Sequence, residues 1–329
     1  MNNTFDLITI GDSTIDTFIK IHDATIECDI NKKDCKICIK YGEKIPVDSI
    51  SHSAAGNALN VAVGGQNLGL NSAIYTNLGD DEHGHLIKKK LVQSEVSEDY
   101  IQIHPSKESN LSVVLTFKGE RTIFVYHQPW DYSLPELSPC SFLYLTSTAE
   151  SFTKSDLFNE ISRYIEKNKP KLIFNPGTYQ LKAGIKKYPQ ILEKCHLLIV
   201  NREEAKKILE IEKDDANHKD LLSKLLLLGP KNVVITNGSE GSFATDGKGF
   251  FRAGIFPAQL VEKTGAGDAY ASGVIAGLFY NLPLAEAMIW GTINASHAIQ
   301  FVGTQRGLLT KEGLERHRKA VPELVAVEF

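Results

Sequence analysis

The sequence predicts an α/β protein, a mostly parallel central sheet with helices on both faces, and a small β-sheet carried outside it. Three observations point there. From Phe142 onward near-continuous apolar strands alternate with helical stretches, as strands buried on both faces do. Polar residues (Asn175, Asn201, Thr236-Asn237-Gly238) sit just past those strands, at the edge where such sheets bind ligands. Earlier, between Phe18 and about Ile50, a polar, alternating stretch reads as strands outside the main core.

Taken in order, Leu7–Ile10 is a short apolar strand ending at Gly11-Asp12, with Asp16 soon after. A dinucleotide-binding oxidoreductase would carry G-x-G-x-x-G here, and that motif is absent. Asn31-Lys32-Lys33-Asp34 and Gly42-Glu43 read as turns. From Ala58 an apolar helix of small residues runs until Gly69 stops it. Asn57 and Asn60 straddle its start beside the bare Gly56, where an Asn either caps the helix or binds hydroxyl groups. Ala73–Asn77 is a strand, and 78–84 is a loop that opens another helix. Leu111–Phe117 and Thr122–Tyr126 flank Gly119-Glu120 as a hairpin. The later strands are Phe142–Thr146, Leu172–Asn175, Leu197–Val200 and Val233–Thr236. Helices lie around Lys154–Asn168, Arg202–Leu209, Lys219–Leu228 and Leu284–Gln300. The charged tail Gln305–Phe329 reads as a peripheral helix.

A chain of 329 residues accommodates two domains, or one large α/β domain with an appendage. With 42% hydrophobic and 23% charged residues and a net charge of −4, nothing calls for a nucleic-acid or membrane partner. No apolar run approaches the roughly 20 residues of a membrane span, and Met1–Ile10 has no signal-peptide pattern, so a cytoplasmic location is expected. Three of five cysteines, Cys28, Cys35 and Cys38, fall close together near His22. Cys35 and Cys38 have C-x-x-C spacing, but no second such pair exists. The expectation is cysteines on a hairpin, ahead of a zinc site or a disulfide framework.

The most informative stretch is Thr264-Gly265-Ala266-Gly267-Asp268-Ala269-Tyr270. Its glycines leave the backbone bare, and the small apolar residues that follow read as a buried helix to about Tyr280. A bare turn opening a helix offers unpaired N–H groups and a favourable dipole to an anion. Asp268 in that first turn either caps the helix or takes a proton from an attacking hydroxyl while the amides hold a phosphoryl group. No Walker A motif is present; Gly241 to Gly247-Lys248 has the wrong spacing and no Ser or Thr after the lysine.

Four short patterns occur in order. They are Gly56-Asn57-Ala58-Leu59-Asn60 with Gly79-Asp80-Asp81-Glu82-His83-Gly84, then Asn201-x-x-Glu204, then Thr236-Asn237-Gly238-Ser239-Glu240-Gly241, and last the turn ending in Asp268. In this combination the chain resembles the ribokinase-like (PfkB) carbohydrate and nucleoside kinases from residue 7 to about 305. The resemblance implies a ribokinase-like α/β core over 1–17, 51–108 and 128–329, with a β lid over 18–50 and 109–127. It implies ATP and Mg²⁺, and an acceptor that is a sugar or a nucleoside. Asp268 is then the base, and Gly265, Ala266 and Gly267 form the anion hole. Asn201 and Glu204 orient Mg²⁺, Glu204 through water. Thr236, Gly238 and Gly241 line the ATP phosphates and ribose, and Asn294 lies near the adenine. Asp16, Gly56, Asn57 and Asn60 hold the acceptor. A homodimer through the lid is also implied.

Each motif has a plainer reading. Asn201-x-x-Glu204 also fits an N-terminal capping box, and Asn294 also fits a buried polar bridge between helices. Arg121 on the hairpin is a candidate contact for a sugar phosphate. Tyr126-His127-Gln128-Pro129-Trp130 would either stack on a nucleobase or pack in the interior. Many members of the resembling family carry Asp-Thr before the turn and bind K⁺ there; this chain has Glu262-Lys263. The Lys263 ammonium either does the electrostatic work of that ion or points to solvent.

Overall fold

The computed structural model describes residues 4–29, 35–118, 120–212 and 216–329. The expected turn at 31–34 and the hairpin residue Gly119 lie outside them. The N-terminal part contains β1 (Phe5–Ile10), β2 (Thr14–Ile21), β3 (Thr25–Cys28), β4 (Cys35–Cys38) and β5 (Val47–Ala55). It continues with α1 (Asn57–Asn67), β6 (Ser72–Gly79), α2 (Glu82–Gln93), β7 (Ser97–His104), β8 (Leu111–Phe117) and β9 (Glu120–Tyr126). The alternating part follows as β10 (Cys140–Leu145), α3 (Leu157–Asn168), β11 (Lys171–Phe174), α4 (Thr178–Ala183), α5 (Pro189–Leu192), β12 (Cys195–Asn201), α6 (Arg202–Leu209) and α7 (His218–Leu226). The chain closes with β13 (Asn232–Thr236), β14 (Ser242–Thr245), β15 (Phe250–Ala253), α8 (Ala266–Phe279), α9 (Leu284–Ala298), α10 (Lys311–Ala320) and β16 (Val327–Glu328).

One sheet orders these strands β16-β15-β14-β13-β12-β11-β10-β1-β6-β7. From β7 to β13 every neighbour is parallel, and β14 to β16 add an antiparallel edge. Alternate residues of each strand face opposite layers. Ile8, Ile10, Leu143, Leu145 and Phe174 pack with Leu157 and Ile161 of α3 on one side. Leu7, Phe142, Tyr144, Ile173 and Val234 pack with Val274 and Ile275 of α8 and Met288 of α9 on the other. This two-sided burial is why the strands are apolar throughout. Helices α8 and α9 approach closely because Gly273 faces Gly291. A Cβ on Gly273 would come within 2.7 Å of the Trp290 carbonyl. Among the described residues no helix is long and apolar enough to cross a membrane.

The lid is a four-stranded sheet in the order β5-β2-β8-β9. Its limits differ from the expected ones. β2 starts at Thr14 and β5 runs to Ala55, so both strands rise directly out of the core and Asp16 stands on the lid itself. The antiparallel β8–β9 hairpin forms where expected. β3 and β4 pair apart from either sheet, and Cys28 and Cys35 are joined there by a disulfide. Direct opposition in the pairing places these two cysteines together, which counting cysteines along the chain does not reveal. The tail helix is confined to 311–320, and Thr304 and Gln305 before it turn inward.

Candidate active site

The site is built where strands of the parallel sheet end and helices begin. Asp12 and Ser13 follow β1, Asn175 follows β11, Asn201 closes β12 and Thr236 closes β13. Across from them stand the starts of α1 and α8. The turn before α8 depends on Gly265, which caps the helix in the left-handed region at φ 83° with Thr304 packed against it. Among the described residues, no carbonyl or side chain accepts from the amides of Gly265 or Gly267. The Ala266 amide, by contrast, donates to Lys263 O at 3.3 Å. The expected three-donor anion hole therefore opens with two unengaged donors, at a helix start that favours negative charge. Apart from its chain neighbours and its own stretch of helix backbone, no described heavy atom lies within 4 Å of where a Cβ on Gly267 would sit, so an anion has room to approach this backbone.

Asp268 does not cap α8, since no side-chain cap bond forms there. Its Oδ2 accepts instead from Asn60 Nδ2 at 2.7 Å. Thr304 Oγ1 and Gln305 Nε2 both donate to Asn60 Oδ1, each at 2.9 Å, which fixes the amide with its NH₂ toward Asp268. Asp268 is only 6% exposed. Burial pushes its carboxyl up to about 7; the Asn60 bond opposes this, and the Asp16 and Glu204 charges add to it. Burial likewise raises Asp16 to about 6, against a hydrogen bond from Ser112. Asp12, bonded by Tyr132 Oη and the Ala149 amide, is raised to about 7 by burial.

A cavity of about 560 Å³ opens over Asp268, lined among others by Asp12, Ser13, Asp16, Gly56, Asn57, Asn60, Asn201, Glu204 and Thr236. A second, more apolar cavity of about 680 Å³ is lined by Gly238, Gly241, Ile255, Phe256, Leu260, Ala266, Thr292, Ala295, Ser296 and Ile299. Thr236, Lys263 and Gly267 belong to both walls, so the two cavities meet at the turn before α8. A flat apolar group with a polyanionic tail fits this arrangement, the tail crossing at Gly267 toward Asp268.

Asn294 is the exception among the expected site residues, because it lines neither cavity. It is fully buried between α8 and α9; Nδ2 donates to Ala269 O and Ser272 Oγ, and Oδ1 accepts from the Leu309 amide. With its amide fully engaged, it bridges helices and does not face a base. Asn201 and Glu204 form the capping box, Asn201 Oδ1 accepting from the Glu204 amide at 2.9 Å and Glu204 Oε2 from the Asn201 amide at 2.8 Å. Both side chains still line the cavity. Burial raises the Glu204 carboxyl, opposed first by the bond from the Asn201 amide and then by the Lys207 charge. A magnesium ion needs one or two carboxylates, with phosphates and water in its other places, and Glu204 beside Asn201 is that kind of donor set.

Of the two readings of Lys263, the outward one fits its position. Lys263 Nζ lies 3.6 Å from Glu120 Oε1 on the lid and is half exposed. The cation on Glu262 is Arg121, at 3.4 Å. Of the aromatic run, Trp130 is in the core while His127 lines the polar cavity, edge-on to Tyr179. Sequence reasoning passed over Asp12, Thr304 and Gln305 as site residues. Asp12 had the same signal as the others, a polar residue just past a strand.

The pfkB family of carbohydrate kinases matches residues 17–311. A 5-dehydro-2-deoxygluconokinase of Bacillus anthracis is 26% identical over 346 aligned positions, covering 98% of both chains. The ribokinase of Arabidopsis thaliana, solved with ribose and ATP, superposes with a TM-score of 0.76 at 20% identity over 95% of this chain and 98% of that one. A nucleoside kinase of Methanocaldococcus jannaschii gives 0.76 at 19% identity over 96% and 98%. These two superpositions establish a ribokinase-like fold.

Proposed function

Because this chain belongs to the pfkB family of carbohydrate kinases and is an ATP-dependent phosphotransferase, we propose that it phosphorylates a hydroxymethyl group of a sugar. The observation that carries this reading is the buried Asp268 at the start of α8, held by Asn60 beside the unengaged amides of Gly265 and Gly267. Asp268 takes the proton of the acceptor hydroxyl as its oxygen attacks the γ-phosphorus. A bond forms between that oxygen and phosphorus, the bond to the β-phosphate oxygen breaks, and ADP leaves. A base with a pKa near 7 is matched to this work at neutral pH. The turn amides hold the charge on the transferring group, so the protein contributes mainly alignment and electrostatics.

Asp16, Gly56, Asn57 and Asn60 hold the acceptor in the polar cavity. The apolar cavity takes the nucleotide, with Thr236, Gly238 and Gly241 at its phosphates and ribose. Thr292, Ala295 and Ile299 lie where Asn294 was expected, against the base. Mg²⁺, held by Glu204 and Asn201 through water, neutralises phosphate charge when bound. A nucleoside acceptor is the second reading. It is favoured by the lid's Val114, Ile123 and Val125 and by the His127–Tyr179 pair in the same cavity wall, a surface suited to a base. Turnover with ATP and Mg²⁺ over neutral sugars, sugar acids, sugar phosphates and nucleosides tests both. Product from nucleosides alone shifts the assignment to the second reading, and no product from any acceptor contradicts both.

The lid is assigned a second role, as a contact between two copies of the chain. β9 is an edge strand, and Ile123, Phe124, Val125 and Tyr126 are 42–59% exposed on it. Such an edge invites pairing. Light scattering that gives one chain per particle at micromolar concentration contradicts the dimer.

A further inference from the structure

We propose that Arg121 is a positioning residue for phosphoryl transfer, holding the anion-binding turn in working shape only while the lid lies over the acceptor cavity. The inference rests on reading that turn as the phosphoryl site. The β8–β9 hairpin brings two consecutive lid residues onto two consecutive core residues. Arg121 Nη1 lies 3.4 Å from Glu262 Oε1, and Glu120 Oε1 lies 3.6 Å from Lys263 Nζ. Both segments read acid then base and meet in antiparallel sense, so a slip of one residue would bring like charges together. The Glu120–Lys263 pair is exposed and screened, and it sets register more than energy.

The Arg121–Glu262 pair differs, because the Glu262 side chain is only 9% exposed. Its Oε1 accepts from the Thr264 amide at 3.0 Å and from Thr264 Oγ1 at 2.7 Å, immediately before Gly265. One carboxylate oxygen thus joins the lid to the turn. With the lid raised, Glu262 loses the guanidinium, and its charge, a few residues from the place where phosphate charge arrives, opposes that charge. With the lid down, the guanidinium offsets it and orients the carboxylate on Thr264. Asp16, Ser112 and Ile123, all on lid strands, line the acceptor cavity, so an acceptor draws the lid down. Occupancy of one cavity is thereby communicated to the turn that serves the other, and transfer to water without an acceptor is disfavoured.

The test compares Arg121→Ala, Arg121→Gln and Arg121→Lys in the full-length protein. Arg121→Ala and Arg121→Gln should each lower kcat tenfold or more with KM for ATP and acceptor changed less than threefold. Arg121→Lys should recover at least a third of the lost rate. An unchanged kcat, or a loss confined to acceptor KM, overturns the proposal. A second measurement needs no acceptor: amide hydrogen exchange at Thr264 should speed up fivefold or more in Arg121→Ala and Arg121→Gln, with α10 amides unchanged. Equal exchange at Thr264 overturns the proposal, whatever the acceptor. Faster exchange at Thr264 in a protein that turns over no acceptor supports the lid-to-turn link and removes only the phosphoryl-site reading.

Discussion

Asn60 and Asp268 lie 208 residues apart in sequence and meet through a 2.7 Å hydrogen bond from amide to carboxylate. This contact ties α1, which follows the lid strand β5, to the helix that carries the anion-binding turn. It also leaves Asp268 buried with a neutral amide partner and, among the described residues, no cation beside it; burial therefore raises its pKa toward neutrality.

The rate of the free enzyme should therefore follow Asp268 ionisation. As a base Asp268 must be deprotonated, so kcat/KM rises with pH through about 7 and levels above it. Stability should move the other way. Folding raises Asp268 and Asp12 to about 7 and Asp16 to about 6, so between about pH 4 and 7 the folded protein holds more protons than the unfolded one. Stability from these groups is full below the unfolded pKa and declines as pH rises through the folded ones. Urea midpoints of the ligand-free protein should be higher at pH 5 than at pH 8, by a difference worth at least about 2 kcal/mol. A flat profile contradicts the burial of these carboxyls among neutral partners.

Asp16 and Asn294 should separate binding from folding. Asp16→Ala is expected to raise acceptor KM tenfold or more and leave ATP KM within threefold, because the side chain lines only the polar cavity. Asn294→Ala leaves the Leu309 amide and Ala269 carbonyl without their side-chain partner in a buried place, costing about 1–3 kcal/mol. Thermal unfolding should show that loss, and nucleotide titration should show ATP affinity within threefold of wild type. Weaker ATP binding with full stability would return Asn294 to the nucleotide site.

Dependence on K⁺ should be weak. The sequence offered Lys263 either as a fixed cation or as a solvent-facing side chain; Lys263 reaches outward to Glu120, and Arg121 supplies the charge on Glu262. Rates in Na⁺, K⁺ or tetramethylammonium at one ionic strength should agree within twofold, and Lys263→Ala should preserve that agreement. Tenfold activation by K⁺ contradicts this account of the turn.

Much of the core was legible because its signals are local. A glycine stops the chain after α1, the Asn201–Glu204 box marks the start of α6, and two-sided burial makes the parallel strands continuous apolar runs. What the sequence concealed depends on partners far along the chain. Thr304 and Gln305 become part of the site only because the segment after α9 folds back onto Asn60. Asn294 looks like a ligand contact until the Leu309 amide is seen to occupy it. Arg121 and Glu262, 141 residues apart, carry no spacing that a linear reading recognises. The lid limits were hidden for another reason: β2 and β5 cross from core to lid without a break in strand pattern.

The central claim is that Asp268 removes the proton from the attacking hydroxyl. The most direct test is single-turnover phosphoryl transfer by Asp268→Asn, with ATP affinity measured on the same preparation. The substitution keeps the size of the side chain and removes its capacity to accept a proton. The account predicts a rate lower by about a hundredfold or more, with ATP affinity within threefold and a folded protein. A transfer rate within tenfold of wild type would remove Asp268 from the chemistry and contradict the account.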